Sequence, residues 1–296
     1  MKPLIIGINP NEGTGRDANP HVPYTPAEIA EVARDCERAG ASLMHYHART
    51  ADGGADHTAA AYAEIARETH QVSALLLAPS MANVAGYDVE QRLSNIAPNQ
   101  DDPGTAVDLL PVDMGCANMD LFDPDVGDYA TGDRVFINDV RTQKAFLERA
   151  PRLGLRPYAA SFNVSWTRAI VAHARAGRLP GPVIAAFVLG GEEFVAAHPT
   201  TPAGVRAHLD ALPADLEIEW LVSSHRGDVF EVAEEVIAAG GHLAVGVGDH
   251  PHTALGRPTT AELVARVADL GRRHGRRPAT PEETRRILGV PAHADR

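Results

Sequence analysis

Apolar residues fall into two alternating patterns along the 296-residue chain. Short, nearly continuous runs at 4–9, 42–47, 73–78, 107–112, 156–162, 183–189, 217–223 and 242–247 read as strands buried on both faces. Between most of them the apolar positions return at helical spacing. They predict helices over 58–69, 142–152, 164–177, 202–212, 229–239 and 260–274. The first helix opens at Thr25-Pro26-Ala27-Glu28, with Thr25 as N-cap, Pro26 in the first turn and Glu28 at the capping-box position, and it ends at Gly40. An extra C-terminal helix, about 281–288, is introduced by Thr280-Pro281-Glu282-Glu283.

Strands that alternate with helices pair in parallel. Eight such units, with no linker or composition break between them, predict a single (β/α)8 TIM barrel domain over 1–296. An open doubly wound sheet fits less well. Gly13-Thr14-Gly15 follows the first strand without the third glycine or the immediate helix of a dinucleotide fingerprint, and reads as a flexible loop.

Composition narrows the class. Apolar residues make up 44% of the chain, enough for a large core, but no run approaches the roughly 20 residues of a membrane span. The first residues enter a strand directly and show no signal-peptide pattern. The formal charge of −12 argues against nucleic-acid binding, and two cysteines, Cys36 and Cys116, exclude a disulfide framework and suggest the cytoplasm. An anionic substrate would need a local cationic patch against this field.

In such a barrel, chemistry gathers at the C-terminal strand ends. The second strand ends in His45-Tyr46-His47-Ala48-Arg49. Alternate residues share a face, so two imidazoles would project together as half of a metal site, with Arg49 in phase behind them. The first strand leads into a polar loop with Glu12 and Arg16. The third ends in Ser80 and Asn83, the fourth in Asp113, the seventh in Ser224-His225-Arg226, and the eighth in Gly248-Asp249-His250-Pro251-His252. Strand eight neighbours strand one in a closed barrel, so its tip can approach His45 and His47. Cys116 has no evident activating base and reads as packing, as do Trp166 and Trp220. The basic run 271–277 reads as a favourable helix-end charge.

These residues resemble the β-keto acid cleavage enzyme family. The likeness runs through Pro20–Ala30, Ala39–Arg49, Phe187–Gly190, Ala239–Gly246, Ala261–Arg266, Ala279–Glu283 and Ile287–Gly289. It implies a zinc-dependent TIM barrel, a homo-oligomer (dimer or tetramer), that reacts a β-keto acid with acetyl-CoA to give acetoacetate and a new acyl-CoA. It also implies that His45 and His47 bind zinc, that Ser80 contacts substrate and that Asp249 does acid–base work.

The sequence also departs from the family. The resemblance places a third zinc ligand, a glutamate, where Gly248 stands, and an arginine where Ala244 stands. The family's first-loop glutamate aligns at or beside Gly13, with Glu12 one position away. An acidic residue of strand five falls within Tyr158-Ala159-Ala160-Ser161, which has no carboxylate. One repair is a metal site of His45, His47 and His250, with His252 or His225 less favoured. Arg49, Arg16 or Arg226 would supply the missing positive charge. The working assignment is therefore Asp249, Arg49 and Ser80 as catalytic, and Glu12, Arg16, Asn83 and Arg226 as substrate-binding. Alternatives are a metal-dependent barrel hydrolase or lyase, which also uses H-x-H, and a metabolite-binding paralogue without catalysis.

Overall fold

A computed structural model describes residues 1–291. Eight strands form one parallel sheet: β1 (Ile6–Ile8), β2 (Leu43–Tyr46), β3 (Leu76–Pro79), β4 (Leu109–Asp113), β5 (Arg156–Ser161), β6 (Val183–Gly190), β7 (Ile218–His225) and β8 (His242–Val245). Their order, β3-β2-β1-β8-β7-β6-β5-β4, is that of a barrel opened at a single seam. The seam between β3 and β4 is drawn together by Asp108. Its backbone N–H donates to the Leu77 carbonyl at 3.0 Å, and its Oδ2 accepts from the Leu77 N–H at 2.8 Å. This fully buried carboxylate is also paired with Arg285 at 2.7 Å, which is what makes burying a charge there tolerable.

The alternation along each strand separates two cores. Ile5, Leu43, Leu76, Leu109, Ile184 and Leu221 point inward and plug the lower barrel, each contributing roughly 1.5–3 kcal/mol of burial. The opposite faces pack Ile6, Met44, Leu77, Leu110 and Phe187 against the helices. Above the plug the inward positions open into a cavity lined by both polar side chains, such as His45 and Asp113, and apolar ones, such as Ala160 and Val188.

The helices are α1 (Pro26–Ala39), α2 (Ala59–Val72), the short α3 (Val89–Leu93), α4 (Val140–Arg152), α5 (Val164–Arg175), α6 (Pro202–Leu209), α7 (Ala233–Ala238), α8 (Thr260–Arg273) and α9 (Pro281–Ile287). Helix α1 has the expected capping box, with the Thr25 hydroxyl accepting from Glu28 N–H and Gly40 closing the helix at φ 116°. The predicted helix over 229–239 is split into a 3₁₀ turn, Val229–Glu231, and α7.

One excursion has no counterpart in the hydrophobic pattern. Between β4 and α4, Ala117–Asn118 pairs with Val135–Phe136, and Phe122–Asp123 with Asp128–Tyr129, as two small antiparallel ribbons. Two-residue strands are too short to show a periodicity of two. No helix among the described residues is long and apolar enough to cross a membrane.

Candidate active site

The loop after β1 is laid over the end of β8. Gly13 and Thr14 donate their N–H groups to the Gly248 carbonyl at 2.9 and 3.0 Å, and Gly248 N–H donates to Asn9 O at 3.1 Å. The contact is closer than any side chain would allow. A β-carbon on Gly248 would lie 2.2 Å from Glu12 N and 2.3 Å from Asn11 N, and one on Gly246 would lie 2.1 Å from Asn9 O. Both glycines are therefore required for the loop's close approach.

The same loop is fastened to β2. The buried Asn11 amide accepts from His47 N–H at 3.1 Å and donates to His47 O at 2.8 Å, in the manner of one more ladder step. Arg49 spans the two segments: its guanidinium donates to the carbonyls of Asn11, Glu12 and Gly53. Loop and strand together place the Glu12 carboxylate between the two histidines.

Glu12 Oε2 lies 2.6 Å from His47 Nε2 and 3.3 Å from His45 Nε2. Burial opposes ionisation of Glu12, but the two imidazoles overcome it and hold the carboxyl well below the usual range. Burial likewise disfavours the His45 cation, yet the Glu12 carboxylate raises its pKa overall. His45 Nδ1 lies 2.7 Å from the Ala78 carbonyl, so Nδ1 carries a proton; Nε2 donates to Glu12 when the ring is charged and is the nitrogen free to ligate a cation when it is neutral.

The donor atoms of Glu12, His45 and His47 all lie within 4.8 Å of one another. Two imidazole nitrogens and one carboxylate, with a backbone carbonyl fixing one tautomer, suit a divalent ion of the zinc kind with a coordination position left open. The residues present therefore fit such an ion.

A cavity of about 490 Å³ opens beside this cluster at the C-terminal ends of the strands. Glu12, His45, His47, Ser80, Asn83 and Asp249 all line it. Asp249 is buried, and Asn9 Nδ2 donates to its Oδ2 at 2.7 Å. Burial first, and the Glu12 charge second, raise the Asp249 carboxyl well above its usual range. Asn83 offers its amide from the β3 side. Nε and Nη2 of the buried Arg92 donate to its Oδ1 at 3.1 and 2.6 Å, which leaves its NH2 group for the cavity.

Four sequence candidates lie elsewhere. His250 Nδ1 accepts from His252 N–H at 3.2 Å, and its ring meets that of His252 at 4.6 Å, so it is neither in the cluster nor in the cavity wall. At 248 itself no ligand could stand, because the backbone of Asn11 and Glu12 fills the space of a side chain there. Arg49 is consumed by three carbonyls. Arg16 donates to Val22 O, pairs with Glu28 and lies 4.1 Å from the centre of the Tyr24 ring. Arg226 pairs with Glu193. Among the described residues no lysine or arginine lines the cavity, so the expected cationic patch is missing.

Asp113 and an aromatic wall also belong to the site, without a role evident from the sequence. Asp113 lines the cavity from β4, and its carboxyl is pushed up to about 6 by burial, offset in part by Arg92. Its alternation with Leu109 and Pro111 was the available signal. Phe136 lies in the excursion after β4, where no pattern announced it.

A family model described as beta-keto acid cleavage enzyme matches residues 3–290. The 3-keto-5-aminohexanoate cleavage enzyme of Acetoanaerobium sticklandii is 27% identical over 278 residues, 93% of each chain. The 3-dehydrocarnitine:acetyl-CoA trimethylamine transferase of Rhizobium meliloti is 23% identical over 289 residues, 90% of each. The 3-oxoadipate:acetyl-CoA acetyltransferase of Cupriavidus necator is 23% identical over 300 residues, 98% of this chain and 96% of the other. Among solved structures, apo ObcA superposes with a TM-score of 0.72 at 17% identity, covering 92% of this chain and 66% of that one, which supports the fold.

Proposed function

The chain belongs to the β-keto acid cleavage enzyme family, and from that premise we propose that it transfers the acyl group of a β-keto acid to coenzyme A, using acetyl-CoA and releasing acetoacetate. Relatives named for acetyl-CoA-dependent transfer support this reading. Family membership displaces the hydrolase alternative, and relatives named as enzymes weigh against a binding-only paralogue. The proposal includes zinc held by Glu12, His45 and His47, and a single barrel domain working in a cytoplasmic homo-oligomer, dimer or tetramer.

The observation that carries the mechanism is the pairing of an unusually basic carboxylate with a cluster of metal-type donors in one cavity. Bound zinc would supply Lewis-acid polarisation of the keto-acid oxygens. Asp249, its pKa raised by burial, is the base that removes a proton from the carbon between the keto and carboxylate groups. Asn9 holds one Asp249 oxygen at 2.7 Å and so aims the other. The resulting carbon nucleophile attacks the acetyl thioester and expels CoA thiolate. The thiolate then attacks the original keto carbon, and cleavage releases acetoacetate, with Asp249 returning the proton to its carbon. Ser80, whose hydroxyl would turn from the Met81 carbonyl, and the NH2 group of Asn83 would donate to carboxylate or thioester oxygens from the cavity wall, in place of the arginine missing at Ala244.

Acetoacetate formation from a panel of β-keto acids with acetyl-CoA, with and without chelator, tests the reading. Turnover that chelation abolishes and Asp249→Asn lowers by about 10²-fold or more is the expected result. No turnover across the panel by zinc-loaded protein overturns it.

A further inference from the structure

The cavity has two unlike sides. From β8 through β1 to β2 it presents Asp249, Asn9, Glu12 and the two histidines. From β4 to β6 the strands present Pro111, Ala160, Ala186 and Val188 beside the Tyr158 phenol, topped by the rings of Phe136, Phe162 and Phe194. These rings are braced from behind. Phe162 stacks on the buried Trp166 at 4.4 Å between centroids and meets Phe194 edge-on at 5.3 Å. Phe136 lies 6.5 Å from Trp166.

One charge sits on this apolar side, the carboxylate of Asp113. Among the described residues it accepts no hydrogen bond, and no cation lies within ion-pair distance. The nearest candidate, Arg92, spends its guanidinium on the amide oxygens of Asn83 and Asn138 instead. A carboxylate turned into a cavity without a partner is costly unless the ligand supplies one. A neutral tail would leave it unpaired. An anionic tail would meet three carboxylates, Glu12, Asp113 and Asp249, with no lysine or arginine among the described residues of the wall. Aromatic faces attract cations, above all alkylated ammonium groups, whose methyls also bury apolar area.

Resting on the keto-acid reading above, we propose that the β4–β6 side is the tail subsite and takes an alkyl-substituted ammonium group. Asp113 is its counter-ion, and Phe136, Phe162 and Phe194 pack against its methyl groups. The substrate is then a β-keto acid with its carboxylate end toward Glu12, His45 and His47 and a cationic end toward Asp113. Asp113 selects the substrate and takes no part in bond making.

Three β-keto acids of equal length, ending in trimethylammonium, tert-butyl or carboxylate, separate the possibilities. With acetyl-CoA and zinc-loaded protein, kcat/KM for the ammonium acid is expected to exceed that for its tert-butyl isostere by about tenfold or more, with the dicarboxylate slowest. Asp113→Asn keeps the shape and removes the charge, and should bring the ammonium-to-tert-butyl ratio to within about threefold. A wild-type preference for either other acid, or a ratio that survives in D113N, overturns the assignment. If none of the three is turned over, the acyl-exchange reading fails, and calorimetric binding of the same acids then decides. Tighter binding of the ammonium acid that D113N abolishes supports the subsite, and binding without that preference, or none, rejects it.

Discussion

Gly248 and Glu12 compete for one space: a β-carbon on Gly248 would lie 2.2 Å from the backbone nitrogen of Glu12. The bare backbone at Gly248 and the position of the Glu12 carboxylate are thus parts of one packing arrangement. With no side chain at 248, the loop after β1 descends far enough for Glu12 to reach both histidines, at 2.6 and 3.3 Å.

It follows that Gly248→Ala should be far more damaging than a methyl group suggests. Backbone, unlike the end of a flexible side chain, cannot step aside cheaply. We expect a loss of about 1–3 kcal/mol in denaturant unfolding. Zinc content should fall with it, because the loop that carries Glu12 is displaced. An alanine variant with wild-type stability and full metal content would contradict the packing.

Metal analysis of single variants separates the two candidate third ligands. Glu12→Gln keeps the side-chain shape but loses the charge and one ligating oxygen. Its zinc affinity should drop by at least about 10–100-fold. His250→Ala should keep its zinc, since that imidazole is turned toward His252. Zinc loss in H250A with retention in E12Q would restore the strand-eight ligand expected from the sequence.

Much of this architecture was legible in the chain, for a physical reason. Strands buried on both faces need continuous apolar runs, and all eight runs became barrel strands, with ends shifted by a few residues: 73–78, for instance, settled as Leu76–Pro79. The H-x-H pair was legible because a period of two is local. Glu12 as a partner of His45 was not, since it depends on the 2.2 Å approach of one loop to a glycine some 236 positions away. Nor could spacing show that Arg49 would be spent on the carbonyls of Asn11, Glu12 and Gly53, whereas its strand phase pointed into the site.

That use of Arg49 is itself testable. A lysine at 49 keeps the charge but cannot bond three diverging carbonyls from a planar fork. Arg49→Lys should therefore loosen the loop and weaken zinc binding by about tenfold, comparable to loss of a supporting contact around a metal ligand. KM for acetyl-CoA, if Arg49 touches no substrate, should change little at saturating zinc. A large KM increase with normal metal affinity would mean that Arg49 binds substrate directly.

The helical layer holds a second buried imidazole network, and it should govern acid stability. His208 is fully buried, stacked on Phe187 at 4.5 Å, with Nδ1 2.7 Å from the Thr167 hydroxyl. Burial first, then the nearby His198, lowers its pKa to about 3 from the ordinary 6.5. Between these values the unfolded chain binds a proton that the folded chain refuses, so stability must rise with pH across this window and fall on acidification. The slope from this one group approaches about 1.4 kcal/mol per pH unit below 6.5, or about 2 kcal/mol between pH 6.5 and 5. His208→Gln carries a constant packing cost but removes the titration. Its denaturant-unfolding free energy should therefore fall less steeply than wild type over the same range, and the two curves should converge toward low pH. Parallel curves would show that His208 takes up its proton as readily in the fold as in the unfolded chain and that other groups set the acid limit.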